Sequence, residues 1–203
     1  MIRNIVFDMV GVVMRFDTEG YYRAHGISDG DRDILRREVF RSLEWAMQDR
    51  GTISEADAAA AICARVLARL HGAVRDFIYR QNRALLPVPG MEALLRDLKG
   101  AGRRLFLLSN ASVGYHRFRS EISGIEYFDD AIISADVGLV KPDPAIFRLA
   151  CERFGIEPAE SAFIDDTPIN VEAAHYIGMR GFVFNDDVEV LREQLWALPE
   201  IDP

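Results

Sequence analysis

Residues 1–17 read MIRNIVFDMVGVVMRFD. The apolar run Ile5-Val6-Phe7 ends on Asp8, and Gly11 follows three residues later. Short continuous apolar runs fit strands covered on both faces, as in a parallel sheet. Four more such runs follow: Leu105-Phe106-Leu107-Leu108, Ala131-Ile132-Ile133, Ala162-Phe163-Ile164 and Gly181-Phe182-Val183-Phe184. Helical patterns lie between the later ones, over 115–122, 143–154 and 169–177. Each stops near a glycine (Gly124, Gly155, Gly178), a residue that suits helix C-termini. Alternation of strand and helix predicts an α/β class: a doubly wound parallel sheet.

One gap breaks the rhythm. After the first run, about 75 residues up to Met91 carry no strand pattern. Helices are expected over 31–49, stopping before Gly51, over 55–70, and over 74–86, stopping at Pro87. Ser54-Glu55-Ala56-Asp57 has the form of a capping box at the start of the second. Pro87-Val88-Pro89-Gly90 punctuates the return. The expected organisation is a main domain with a small helical insert spliced after the first strand.

Polar residues fall at the ends of the runs. The first run gives Asp8, the second Ser109-Asn110, the fourth Asp165-Asp166. In an open parallel sheet these ends share one edge, where ligands bind. Lys141 follows the third run by eight residues, in a turn-rich loop that can reach the same edge. It is one of only two lysines among 24 basic residues; the other, Lys99, sits at an expected helix end. Taken singly, each of these is an ordinary turn or cap residue. Taken together, three carboxylates in a small space cannot all stay ionised without a cation. Oxygen ligands beside a phosphate suit Mg²⁺. Lys141 supplies a compact charge for a phosphate and for Asp8, Ser109 a hydroxyl, Asn110 a backbone N–H. Asp8 becomes a candidate covalent nucleophile. Asn170, four residues after Asp166, returns to the metal side of a helix start, in a supporting position.

Bulk properties narrow the classes. The chain has 203 residues, net charge -8 and 49% apolar residues. No basic run supports non-specific nucleic-acid binding. No segment approaches the roughly 18 apolar residues of a membrane span. The strand-like start predicts no signal peptide, so a cytoplasmic protein, monomer or dimer, is expected. Cys63 and Cys151 are expected to be buried free thiols.

These residues resemble the motifs of the haloacid dehalogenase-like superfamily, which is mostly phosphatases, over nearly the whole chain. VFDMVGVV resembles the first motif, with Asp8 as nucleophile. LLSNAS resembles the second, with Ser109 and Asn110 holding phosphate. GLVKPDPAIF resembles the third, with Lys141 as the phosphate lysine, and FIDDTPINVEAAHYIGM the fourth, with Asp165 and Asp166 at the metal. Within the superfamily, GTISEADAAAAI, LSNAS and VKPDPAIF are most like the bacterial α-D-glucose-1-phosphate phosphatase-like branch. The resemblance implies Mg²⁺ and a Rossmann-like core domain, residues 1–14 and 87–203, with a helical cap, residues 15–86, in the first insertion position.

It also exposes a departure. Most phosphatases of the superfamily carry a second aspartate two residues after the nucleophile. It protonates the leaving oxygen and then activates water, while its carbonyl binds the metal. Here the position is Val10, which keeps the carbonyl and loses the acid. A general acid or base contributes ~10²–10⁴-fold, whereas positioning and charge stabilisation carry most of phosphoryl transfer. The expected enzyme is therefore a slowed phosphatase acting on a small phosphorylated metabolite with a good leaving group, such as a sugar 1-phosphate. His25 or Glu44 of the cap could stand in for the missing acid. Arg15 and Asp17 lead from the first motif toward the cap, Tyr21, Tyr22, Glu44 and Trp45 are candidates to line the substrate gap, and His175 is expected to pack rather than ligate. Two alternatives stay open: a non-catalytic protein that binds phosphate and metal, and a metal-free 2-haloacid dehalogenase, which needs no second aspartate.

Overall fold

The structure, a computed structural model, describes residues 2–198. Five strands form a parallel sheet: β1 (Asn4–Phe7), β4 (Arg104–Ser109), β5 (Asp130–Ile133), β6 (Ser161–Asp165) and β7 (Arg180–Val183), in the order β5-β4-β1-β6-β7. Two short strands, β2 (Met14–Phe16) and β3 (Leu85–Pro87), pair antiparallel beside it. The strand order reverses around β1. Phe7 is in register with Leu107 on one side and Ile164 on the other, so the ends of β4, β1 and β6 stand side by side. The crevice beyond them is where such a sheet presents a site.

Both faces of the sheet are covered, which is why the strand runs read as continuous apolar sequence. Ile5, Phe7, Leu105, Leu107 and Ile164 point to one face, against helices α6 (Met91–Gly100) and α11 (Val188–Trp196). Val6, Phe106, Leu108, Ile132 and Phe163 point to the other, against α9 (Pro144–Phe154) and α10 (Pro168–Tyr176). Two short helices, α7 (Tyr115–Phe118) and α8 (Ser134–Val137), follow β4 and β5. The remaining helices lie between β2 and β3: α1 (Thr18–Ala24), α2 (Asp29–Leu35), α3 (Leu43–Asp49), α4 (Glu55–Cys63) and α5 (His71–Arg80). They bury a separate core that includes Tyr21, Tyr22, Leu35, Ile62, Val74 and Phe77.

The helical stretch departs from the sequence reading in ways with local causes. The expected helix over 31–49 is broken into α2, a π-helical turn Arg36–Phe40, and α3. Ser42 makes the break: its hydroxyl donates to the Val39 carbonyl and accepts the Trp45 amide, starting a new helix. The expected helix over 55–70 stops at Cys63, where the Arg65 guanidinium folds back onto the Ala61 carbonyl and pairs with Glu38 and Glu44. Ser54 does cap α4 through the Asp57 amide, but its hydroxyl donates to the Asp57 carboxylate, so the reciprocal half of a capping box is not made. The expected helix over 74–86 runs from His71 to Arg80 instead, and Leu85–Pro87 belongs to β3. The gap thus holds strand at both ends, each piece three residues long and too short to show a period. The helix expected over 115–122 becomes 3-10 after Phe118. Cys63 is buried and Cys151 half-buried, both as free thiols.

Candidate active site

The end of β1 sets Asp8. Its amide donates to the Ile164 carbonyl at 2.8 Å, extending the β6 ladder by one residue, and its Oδ1 accepts the Met9 amide at 2.7 Å. The carboxylate is buried. Lys141 reaches it from the loop before α9, with Nζ 2.8 Å from Asp8 Oδ1 and 2.7 Å from Asp165 Oδ2. The lysine side chain is 1% exposed, so both ion pairs are shielded from water. Asn110 fixes that loop: its Oδ1 accepts the Lys141 amide at 2.8 Å and its Nδ2 donates to the Lys141 carbonyl at 3.0 Å. The Asn110 side chain therefore serves the lysine rather than a ligand.

Asp165 ends β6, fully buried. Besides Lys141 it accepts the Thr167 amide at 2.8 Å and the Asn170 side-chain amide at 3.0 and 3.1 Å. Asn170 thus supports Asp165, not Asp166. Asp166 is exposed and faces the loop after β1, where Gly11 has φ +99°. A Cβ on Gly11 would lie 2.4 Å from Asp166 Oδ2, so only glycine lets the loop pass the acid. Val10, just before it, is half-buried and packs on the core beneath β1. At the end of β4 the buried Ser109 hydroxyl has no hydrogen-bond partner among the described residues.

Charge at the site is lopsided. One ammonium serves three acids. Burial pushes the Asp8 carboxyl up to about 6; Asp165 adds to the rise, while Lys141 opposes it. Burial and Asp165 raise Asp166 as well. Burial alone would pull Lys141 down, but Asp8 and Asp165 outweigh it and the ammonium is held above its ordinary value. One oxygen from each of Asp8, Asp165 and Asp166 lies within 4.8 Å of the others. An all-oxygen, net-negative cluster of this kind fits a hard divalent cation.

The helical segment contributes less than its sequence suggested, and a different residue. His25 bonds the Tyr21 carbonyl and pairs with Asp76, and Glu44 pairs with Arg65. Both are taken by the segment's own core and surface, so neither is placed to stand in for an acid at Val10. Tyr21 and Tyr22 are core, Asp17 caps α1, Arg15 is exposed 4.0 Å from Asp186, and His175 is exposed on α10. Trp45 packs its ring on Phe16, Phe40 and Phe77 and shares a small cavity with Asp49, at the end of α3, and Ser112. Asp49 lines a cleft of about 410 Å³ with Arg50 and Thr52 from the helical segment and Asn110, Val140 and Lys141 from the sheet edge. Nothing in the sequence singles Asp49 out, because its position depends on how α3 docks.

Comparison with known proteins gives a consistent picture. The haloacid dehalogenase-like hydrolases match residues 2–178. A sesquiterpene phosphatase of Aspergillus oryzae is 29% identical over 76% of this chain and 79% of its own length. A phosphoserine phosphatase of Thermus thermophilus is 35% identical over 52% of this chain, a match spanning 43% of that protein. Among solved structures, a haloacid dehalogenase-family enzyme of Bacteroides thetaiotaomicron, in complex with magnesium and inorganic phosphate, aligns with TM-score 0.71 at 22% identity over 94% of this chain and 99% of its own. An L-2-haloacid dehalogenase aligns with TM-score 0.73 at 21% identity over 97% and 99%. At these identities the structural likeness speaks to the fold.

Proposed function

The chain belongs to the haloacid dehalogenase-like hydrolases, and from that premise we propose that it is a Mg²⁺-dependent phosphatase of a small phosphorylated metabolite, working through an aspartyl-phosphate on Asp8. The observation that carries this reading is Lys141 bridging Asp8 and Asp165 with Asp166 alongside. That arrangement gives one nucleophilic carboxylate, one charge for the phosphoryl oxygens, and an acid cluster that needs a cation.

Asp8 attacks phosphorus in line with the leaving oxygen. Lys141 and the unpartnered Ser109 hydroxyl receive the phosphoryl oxygens, and Asn110 keeps the lysine loop in place. Asp8, Asp165, Asp166 and the Val10 carbonyl are the groups that would hold Mg²⁺, with Asn170 and Thr167 orienting Asp165. When bound, the ion supplies positive charge against the transferring group. The helical segment over residues 15–86 acts as the cap, and the cleft it forms suits a ligand of sugar-phosphate size. Val10 lacks a titratable side chain, which favours substrates with good leaving groups, and the sequence likeness to the glucose-1-phosphate phosphatase branch supports a sugar 1-phosphate.

Val10 equally fits a 2-haloacid dehalogenase, and such neighbours exist. The acid cluster argues against it: without a cation, burial and the neighbouring Asp165 raise the proton affinity of the nucleophile and hinder attack. The deciding assay is a panel of phosphorylated metabolites, an aryl phosphate and 2-haloacids, with and without Mg²⁺, for wild type and Asp8→Asn. Metal-dependent phosphate release that Asp8→Asn abolishes supports the phosphatase. Halide release in metal-free buffer supports the dehalogenase, and phosphate binding without turnover supports a binding protein.

A further inference from the structure

Val10 removes the usual proton donor, yet a carboxyl group is still delivered to the site from the opposite side. Helix α3 ends at Asp49, and that end is tied to the sheet. The Ser134 hydroxyl accepts the Ala111 amide at 3.0 Å and donates to the Asp49 carbonyl. Two residues on, Gly51 has φ +71°, and a Cβ there would lie 2.3 Å from the Ala135 carbonyl. The α3 terminus is therefore seated on α8 and on the loop that follows β4, at the strand ends that also carry Asp8. Asp49 lines the cleft there together with Lys141 and Asn110. Unlike Glu44 and Asp76, Asp49 has no ion-pair partner within 4 Å among the described residues. Trp45, on its own helix, lies beside it.

We propose that Asp49 is the proton donor and acceptor of the reaction, doing from the helical segment what Val10 cannot do from the nucleophile loop. The proposal rests on the phosphatase reading above. In the first step Asp8 Oδ forms a bond to phosphorus and the bond from phosphorus to the leaving oxygen breaks. That oxygen keeps the electron pair and takes the Asp49 proton. In the second, the Asp49 carboxylate takes a proton from water as the water oxygen attacks the aspartyl-phosphate. The bond from phosphorus to Asp8 breaks, and inorganic phosphate leaves with both carboxyl groups restored. The surroundings agree with this use. The groups acting on Asp49 are Asp8 from β1, Lys141 from the loop before α9 and Trp45 from α3. Burial, then the Asp8 charge, lift it to about 7 against the pull of Lys141 and Trp45, which suits a group that both gives and takes a proton near neutral pH.

The test uses the full chain with Mg²⁺, glycerol 3-phosphate as a poor leaving group and 4-nitrophenyl phosphate as a good one. Asp49→Asn should slow glycerol 3-phosphate turnover by about 10²–10⁴-fold. With 4-nitrophenyl phosphate it should give a burst of nitrophenol and accumulate phosphorylated Asp8. The part of the pH profile that follows Asp49 ionisation should disappear. Val10→Asp added to Asp49→Asn should restore turnover, which a merely structural role for Asp49 would not allow. A folded Asp49→Asn enzyme with the wild-type rate and pH profile on glycerol 3-phosphate overturns the proposal while leaving the phosphatase reading intact. So does a Val10→Asp, Asp49→Asn enzyme that still binds inorganic phosphate but is not rescued. If wild type hydrolyses neither ester, the phosphatase reading falls and takes this proposal with it.

Discussion

The ammonium of Lys141 lies 2.8 Å from Asp8 and 2.7 Å from Asp165, so one buried positive charge is shared between two buried negative ones. Removing it leaves both carboxylates without a counter-charge. Lys141→Ala should cost about 3–5 kcal/mol of stability at pH 8 in metal-free buffer. The loss should shrink toward pH 5, because Asp8 already holds its proton up to about 6 with the lysine present and holds it more tightly without it. Chemical denaturation at the two pH values checks this. Equal losses at both would mean that the pair contributes little.

Ser109 separates stability from function. Its hydroxyl is buried without a partner among the described residues, and an unmade hydrogen bond there is unfavourable. Ser109→Ala should hold or raise stability, by up to about 1 kcal/mol, while weakening inorganic phosphate binding about 10–100-fold through the lost bond to a charged ligand. Thermal melts and calorimetric titration in Mg²⁺ read both. A destabilised variant with unchanged phosphate affinity would assign the hydroxyl to the core.

Gly11 tests the acid cluster. Alanine there would drive a methyl group against Asp166. Gly11→Ala should lower Mg²⁺ affinity by roughly 10–100-fold, as displaced supporting groups do, read as a smaller rise in Tm on adding Mg²⁺. An unchanged rise would show that Asp166 is not needed to hold the ion.

Asp49 carries a stability signature of its own. Its carboxyl binds a proton more tightly in the fold, at about 7, than in the unfolded chain, near 3.8. The folded state therefore holds more protons between those values, and stability falls as pH rises through them. Asp49→Asn lacks that loss. Its Tm should match wild type near pH 4 and exceed it by pH 8, the pattern of a residue kept for chemistry at some expense of stability. Parallel melting curves across that range would show strain-free placement instead.

The site was legible where chemistry coincided with strand ends. Asp8, Ser109 and Asp165 close β1, β4 and β6, whose runs stand out because both faces are buried. Lys141 could be read from its loop and its rarity. The helical segment was read less well. Its strands β2 and β3 are three residues each, its π-helical turn has no simple sequence period, and Ser42 restarts a helix inside an apolar pattern. Asp49 is invisible for a further reason: an aspartate before Arg50-Gly51 reads as a helix end, and only the docking of that end on Ser134 and Ala135 brings it to the cleft that Lys141 lines. His25 and Glu44, plausible on residue type, are instead engaged by the partners that tertiary packing gives them.

The most direct measurement is peptide mass mapping of enzyme quenched in acid during turnover of 4-nitrophenyl phosphate with Mg²⁺. One phosphoryl group on the peptide carrying Asp8, absent from Asp8→Asn and without Mg²⁺, is the predicted result. Phosphate release at an undiminished rate from Asp8→Asn, with no modified peptide in wild type, would contradict it.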